Sequence, residues 1–190
     1  MGTTLTAITV AGSTPSDERV VVVNVGDSRT YLVRHGELRQ VTVDHSYVQE
    51  LVSEGIISAE DARTHPRRNI VTRALGIDSR VIADSWILPI VNGDRYILCS
   101  DGLVDEISNE EILAILMQNA DPQRAAECLT AAANDRGGRD NVTVIVVDVR
   151  LSDESSSTPK DAEPLVELAP LTLESQKVET QSNSTHKLSK

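Results

Sequence analysis

The sequence predicts an α+β fold, a central antiparallel β-sandwich flanked by helices. Three observations carry that prediction. Strand-like runs crowd the first third of the chain, helical spacing dominates later, and one valine run, Val20-Val21-Val22-Val23, is apolar on both faces. Strands in succession with helices grouped after them favour a sandwich over a parallel βαβ sheet. A strand apolar on both faces belongs at the centre of a sheet, between layers.

The elements follow in order. Leu5 to Ala11 and Arg19 to Val25 are rich in β-branched residues and are separated by the polar turn Gly12-Ser13-Thr14-Pro15-Ser16-Asp17. Thr30 to Arg34 and Glu37 to Val43 flank His35-Gly36, a short hairpin signal. In Ser46 to Gly55 the apolar positions Val48, Leu51 and Val52 have helical spacing, and Gly55 ends the run. Ser58-Ala59-Glu60-Asp61 starts a second short helix with capping-box chemistry, and Pro66 follows closely. A helical pair that interrupts a strand pattern reads as a flap, about residues 45–69, inserted over one edge. Strands resume at Arg80 to Val91 and Arg95 to Cys99. Helices then open at Ser108-Asn109-Glu110-Glu111 and at Asp121-Pro122, and Asn141 to Val149 closes the domain as a strand.

Residues 1–150 hold all fourteen Arg and no Lys, whereas 151–190 hold all four Lys and no Arg. From Ser152 onward, Ser, Thr, Glu, Lys, Gln and Pro dominate. Such a segment buries too little apolar surface to offset its ordering entropy, so 151–190 reads as a disordered polar tail. Within it, Leu165 to Leu171 reads as a linker or a docking segment.

Eighteen Lys plus Arg against 29 Asp plus Glu give a net charge of −11. That balance argues against nucleic acid or an anionic membrane as partner, because counterion release needs a basic face. It fits either plain solubility or carboxylates gathered around divalent cations. The absence of a long apolar run or a signal-like leader, and the two cysteines without C-x-x-C spacing, point to a soluble cytoplasmic protein.

Three acidic turns sit at strand ends: Gly26-Asp27-Ser28-Arg29, Ser100-Asp101-Gly102-Leu103 and Gly137-Gly138-Arg139-Asp140-Asn141. Glycine permits tight turns that aim a carboxylate away from the strand. Hard cations such as Mg²⁺ and Mn²⁺ prefer carboxylate and water oxygens. Each turn alone reads as an ordinary Asp-Gly turn or cap as readily as a metal site. Asp105 is a further acidic neighbour. Cys99 reads as a buried inert thiol, and His45 as a structural turn residue rather than a general acid.

Order and spacing add a resemblance. Gly2-Thr3-Thr4-Leu5, Asn24-Val25-Gly26-Asp27-Ser28-Arg29, Val41-Thr42-Val43-Asp44-His45-Ser46, Thr72-Arg73-Ala74-Leu75-Gly76, Cys99-Ser100-Asp101-Gly102 and Gly137-Gly138-Arg139-Asp140-Asn141 occur in series. The set resembles the type 2C, or PPM-type, metal-dependent protein phosphatases, in their bacterial branch. The resemblance implies two or three Mn²⁺ or Mg²⁺ ions at one end of the sandwich. It also implies hydrolysis of phosphoserine or phosphothreonine by in-line attack of a metal-activated water. By the same resemblance Asp101 and Asp140 hold metal, Asp27 serves a third ion together with Asp101, and Asn141 orients its loop. Arg29 and Arg73 hold the fold, and the partners are phosphoproteins made by a Ser/Thr kinase.

The family's Asp-Gly-x-Gly-Gly turn does not occur in the sequence. Neither do its phosphate-binding Arg and general-acid His, so no catalytic residue is assigned. The expectation is a domain incomplete at its N-terminus, with weak or no activity by itself. Two alternatives stand beside it, a non-catalytic phosphatase-like binding or regulatory module and one half of a split enzyme completed by a separate N-terminal chain.

Overall fold

Val20 to Val23 lie at the middle of a sheet. A computed structural model describes residues 1–14, 16–151 and 171–173. In it β1 (Leu5–Ala11) pairs antiparallel with β2 (Arg19–Val25), Ile8 opposite Val22. The other side of β2 takes β5 (Ala83–Pro89), Trp86 opposite Val22, and β8 (Leu171–Leu173) borders β5 at Ala83 to Ser85. A second antiparallel sheet has the order β4 (Glu37–Gln40), β3 (Arg29–Arg34), β6 (Arg95–Cys99), β7 (Val144–Asp148).

Side-chain alternation assigns each face. Val20, Val22, Trp86 and Leu88 of the first sheet meet Leu32, Tyr96 and Leu98 of the second. The opposite face of the second sheet, Tyr31, Val33, Ile97 and Cys99, packs beneath three helices. These are α3 (Asp101–Val104), α4 (Asn109–Gln118) and α5 (Pro122–Arg136), which add Leu103, Ile112, Leu116, Ala125, Leu129 and Ala133. The result is sheet, sheet, helices: an α+β sandwich, as the sequence predicts. Period-2 alternation produces it, because one strand face must find the other sheet and the other face a helix.

Four of the helix starts are those read from the sequence, α3 being read there only as a turn. Ser46 caps α1 (Tyr47–Ser53) by accepting from Gln49 N, and Ser58 forms a full capping box with Asp61 on α2 (Ala59–Thr64). Ser108 and Asp121 cap α4 and α5 in the same way. Each cap satisfies an amide that the first turn leaves without a partner.

Several expectations change. Val21 and Val23 are only half-buried and Ile87 is exposed. Among the described residues α3, α4 and α5 lie on the second sheet, so β2 is central in its sheet without being covered on both faces. The strand expected over Glu37 to Val43 ends at Gln40, because Val41 and Thr42 both donate to the Thr30 carbonyl and break the ladder. Within the stretch read as a polar tail, Leu171–Leu173 form a short strand along the edge of β5. Residues 152–170 and 174–190, with His186 and most of the Leu165 to Leu171 stretch, lie outside the described residues.

Candidate metal centre and its flap

All three acidic turns fall at the same end of the sandwich. The β2–β3 turn, Gly26-Asp27-Ser28, crosses from one sheet to the other. Gly26 has φ of 109°, and a Cβ there would collide with Thr4, so only glycine suits the turn. Thr4 and Ser28 share a hydroxyl hydrogen bond of 2.9 Å across it. Asp101 starts α3 where β6 ends. Ser100 stitches that junction to the loop before β7: its Oγ donates to Asn141 O at 3.0 Å and accepts from Thr143 N at 3.1 Å. Gly102 lets the loops touch, since a Cβ there would sit 2.6 Å from Asn141 O. Asp140 is thereby carried beside Asp101.

The electrostatics record this convergence. The Asp27 carboxyl is pushed up to about 6, first by burial and then by the negative charge of Asp101. Asp101 is raised too, by burial, by Asp140 and by Asp105. Asp101 therefore repels both Asp27 and Asp140. Arg29 acts the other way on Asp27 but as the smallest of these effects, and its guanidinium is held by Asp44, Nη2 to Oδ2 at 2.7 Å and Nε to both oxygens at 2.9–3.0 Å. Asp27, Asp101 and Asp140, which form no ion pair among the described residues, repel one another in a way that suits a hard divalent cation. The fit is partial. Among the described residues no three His, Cys, Asp or Glu side chains converge closely enough to hold an ion. Pairs of carboxylates with water can still hold Mg²⁺ or Mn²⁺.

Asp27 and Asp101 border a groove of about 550 Å³ whose other wall is the flap. Arg68 reaches Asp105 at 3.7 Å, and Arg63 donates to Val104 O at 3.5 Å, so α2 leans on α3. Arg67 stacks over the Tyr47 ring at 5.6 Å and keeps the flap together. Asp140 is exposed and does not line that groove, its Oδ1 accepting from Asn141 N at 2.7 Å.

The remaining sequence candidates occupy structural places. Arg73 is bound to Asp84, 2.7 Å, and Arg29 to Asp44, so both guanidiniums serve the fold. Cys99 is buried, and burial pushes its thiol up to about 12, far from a nucleophile. Residue-by-residue reading missed Asp44 and Asp84. Neither sits in a glycine turn, and their partners lie 15 and 39 positions away in sequence.

Comparison with known proteins identifies the architecture. The protein phosphatase 2C family model matches residues 1–142. A serine/threonine phosphatase, stp, of Listeria welshimeri is 44% identical over 151 residues, 80% of this chain and 58% of that protein. The crystal structure of the Mycobacterium tuberculosis serine/threonine phosphatase PstP/Ppp superposes with a TM-score of 0.69 at 46% identity, covering 80% of this chain and 61% of that one. The catalytic domain of PstP, solved with two manganese ions, gives a TM-score of 0.66 at 45% identity, covering 79% and 60%. The chain thus spans a little under two thirds of these relatives. With the match running through all three acidic turns, the chain belongs to the protein phosphatase 2C family.

Proposed function

We propose that residues 1–150 carry part of a metal-dependent protein serine/threonine phosphatase site, in which Asp101, Asp27 and Asp140 hold Mn²⁺ or Mg²⁺. The observation that carries the reading is that Asp101, on the lining of the groove with Asp27, repels both Asp27 and Asp140. The family membership and the two manganese ions in the related PstP domain support it. When bound, the ions would neutralise phosphoryl charge and lower the pKa of a water. The chain's own residues do the rest. Ser100 and Gly102 fix Asp101 against the Asn141 loop, and the Arg29–Asp44 pair keeps the guanidinium from the phosphate and the Asp44 carboxylate from the ions. The flap walls the groove through which a phosphorylated segment would enter.

Phosphoserine and phosphothreonine in proteins, the products of a Ser/Thr kinase, are the proposed substrates, and the cytoplasm the proposed location. Because no three donors converge among the described residues, turnover by this chain alone is placed well below that of a complete donor set. Carboxylates from further sequence or from a separate complementing polypeptide would raise it. The test is Mn²⁺-titrated phosphate release from a phosphothreonine peptide, with Asp101→Asn as control. Slow release that needs Mn²⁺ and disappears in the control supports the reading, and equal release by both overturns it. No release together with tight phosphopeptide binding would favour the alternative of a non-catalytic binding module.

A further inference from the structure

His45 holds Gly26 from both sides. Its ring Nδ1 accepts from Gly26 N at 3.0 Å, and its own amide donates to Gly26 O at 2.9 Å. Asn24 Nδ2 adds a second bond to that carbonyl, 3.0 Å. Gly26 is the residue before Asp27, so this clamp fixes the turn from which Asp27 projects. His45 itself is 7% exposed and is anchored by Thr72 N donating to its carbonyl at 2.8 Å.

A nitrogen that accepts an amide proton carries a lone pair. The neutral imidazole must then carry its proton on Nε2. Nε2 faces Asp84 Oδ2 at 3.1 Å, and it donates there. Arg73 Nη1 also lies 2.9 Å from Nε2, but that nitrogen offers no lone pair in this tautomer. The Arg73 protons go instead to Asp84 Oδ1 at 2.7 Å and Ile82 O at 3.1 Å. Asp84 is thus fixed by Arg73 and in turn fixes the tautomer of His45. A ring turned to the other tautomer would present an N–H to the Gly26 N–H and open the clamp.

We propose that His45, kept in its Nε2–H tautomer by Asp84, is the positioning residue that sets the Gly26–Asp27 turn beside Asp101. The proposal rests on the reading of Asp27 and Asp101 as a cation-holding pair only for its effect on metal. Its structural content is tested without metal. An outer residue that orients a ligand typically alters metal affinity by about 10-fold or more when removed.

Three substitutions separate the clamp from the fold. In His45→Asn the amide oxygen falls near the place of Nδ1 and can still accept from Gly26 N. In His45→Gln the longer amide reaches the place of Nε2, keeps Asp84 and loses Gly26. Asp84→Asn keeps its shape but can donate to Nε2 and so favours the wrong tautomer. The measurements are long-range ¹H–¹⁵N NMR of the His45 ring, hydrogen exchange of the Gly26 amide, and Mn²⁺ titration followed by EPR, all on the full chain.

We expect the wild-type ring to show the Nε2–H pattern and Asp84→Asn to show Nδ1–H. The Gly26 amide should exchange about 10-fold faster in His45→Gln and Asp84→Asn, and near the wild-type rate in His45→Asn. Mn²⁺ affinity should follow the same split. A purely structural His45 would lower the melting temperature of all three without this ordering. Equal Gly26 exchange in His45→Asn and His45→Gln, or an Nδ1–H ring in the wild type, overturns the proposal. Absence of Mn²⁺ binding by the wild type would overturn the metal reading instead, while the exchange and tautomer results still decide the role of His45.

Discussion

The carboxyl of Asp27, pushed up to about 6 by burial and by Asp101, gives folding and metal binding opposite demands. In the unfolded chain the same group titrates near its ordinary 3.8. Between those two values the folded protein holds more protons than the unfolded one. Stability therefore falls as pH rises through this window and stays lower above it. Asp27→Asn removes the penalty. In metal-free buffer the variant should melt above the wild type at pH 7.5, with the gap closing toward pH 4. A gap independent of pH, or a variant less stable at pH 7.5, would contradict the assignment. Cys99 gives a second test at this scale. Its buried thiol, pushed up to about 12, should resist Ellman's reagent at pH 8, which titrates one of the two cysteines until the protein is unfolded. Two fast thiols would refute that.

Loops and pairs set the spacing of elements. Gly102 touches the Asn141 carbonyl so closely that Gly102→Ala must push the Asp101 and Asp140 turns apart. Overpacking of this kind costs about 1–3 kcal/mol. The expected readout is a lower melting temperature together with weaker Mn²⁺ binding, and a variant that keeps its affinity would show that the loops move freely. At the opposite end of β6, Arg34 and Asp94 form a bidentate pair, Nε to Oδ1 at 2.8 Å and Nη2 to Oδ2 at 2.6 Å, with side chains 5% and 1% exposed. Asp94→Ala would leave a buried guanidinium unpaired, at a cost of about 3–5 kcal/mol, measurable by urea unfolding. Mn²⁺ affinity per folded molecule should be unaffected, because the pair lies away from the acidic turns. What the sequence reveals at this scale follows from the same physics. β1 and β2 were legible because β-branched runs end at polar turns, and the helices because Ser or Asp stands at each cap. The four residues of α3 are too few for a period to show. The strand expected from Asn141 starts at Val144 because Ser100 uses Asn141 and Thr143 to build the site. β8 exists through the open edge of β5, which no local pattern in the tail announces.

Across the whole molecule, layering explains where the chemistry sits. The inter-sheet core and the helix-side core meet along the second sheet, so its strands are packed on both faces and carry the loops of the site on a buried scaffold. The glycine-flanked aspartates were legible because such turns carry their own signature. The network of Asp84, His45 and Arg73 was not, because it joins a strand interior to a loop 39 residues earlier. In the proposed site Asp101 holds cations together with Asp27 and Asp140. The most direct measurement is EPR-monitored Mn²⁺ titration of the 190-residue chain beside Asp101→Asn, with folding of both checked by circular dichroism. Saturable binding by the wild type, lost in the variant, is the expected result. Equal binding by the two folded proteins would contradict it.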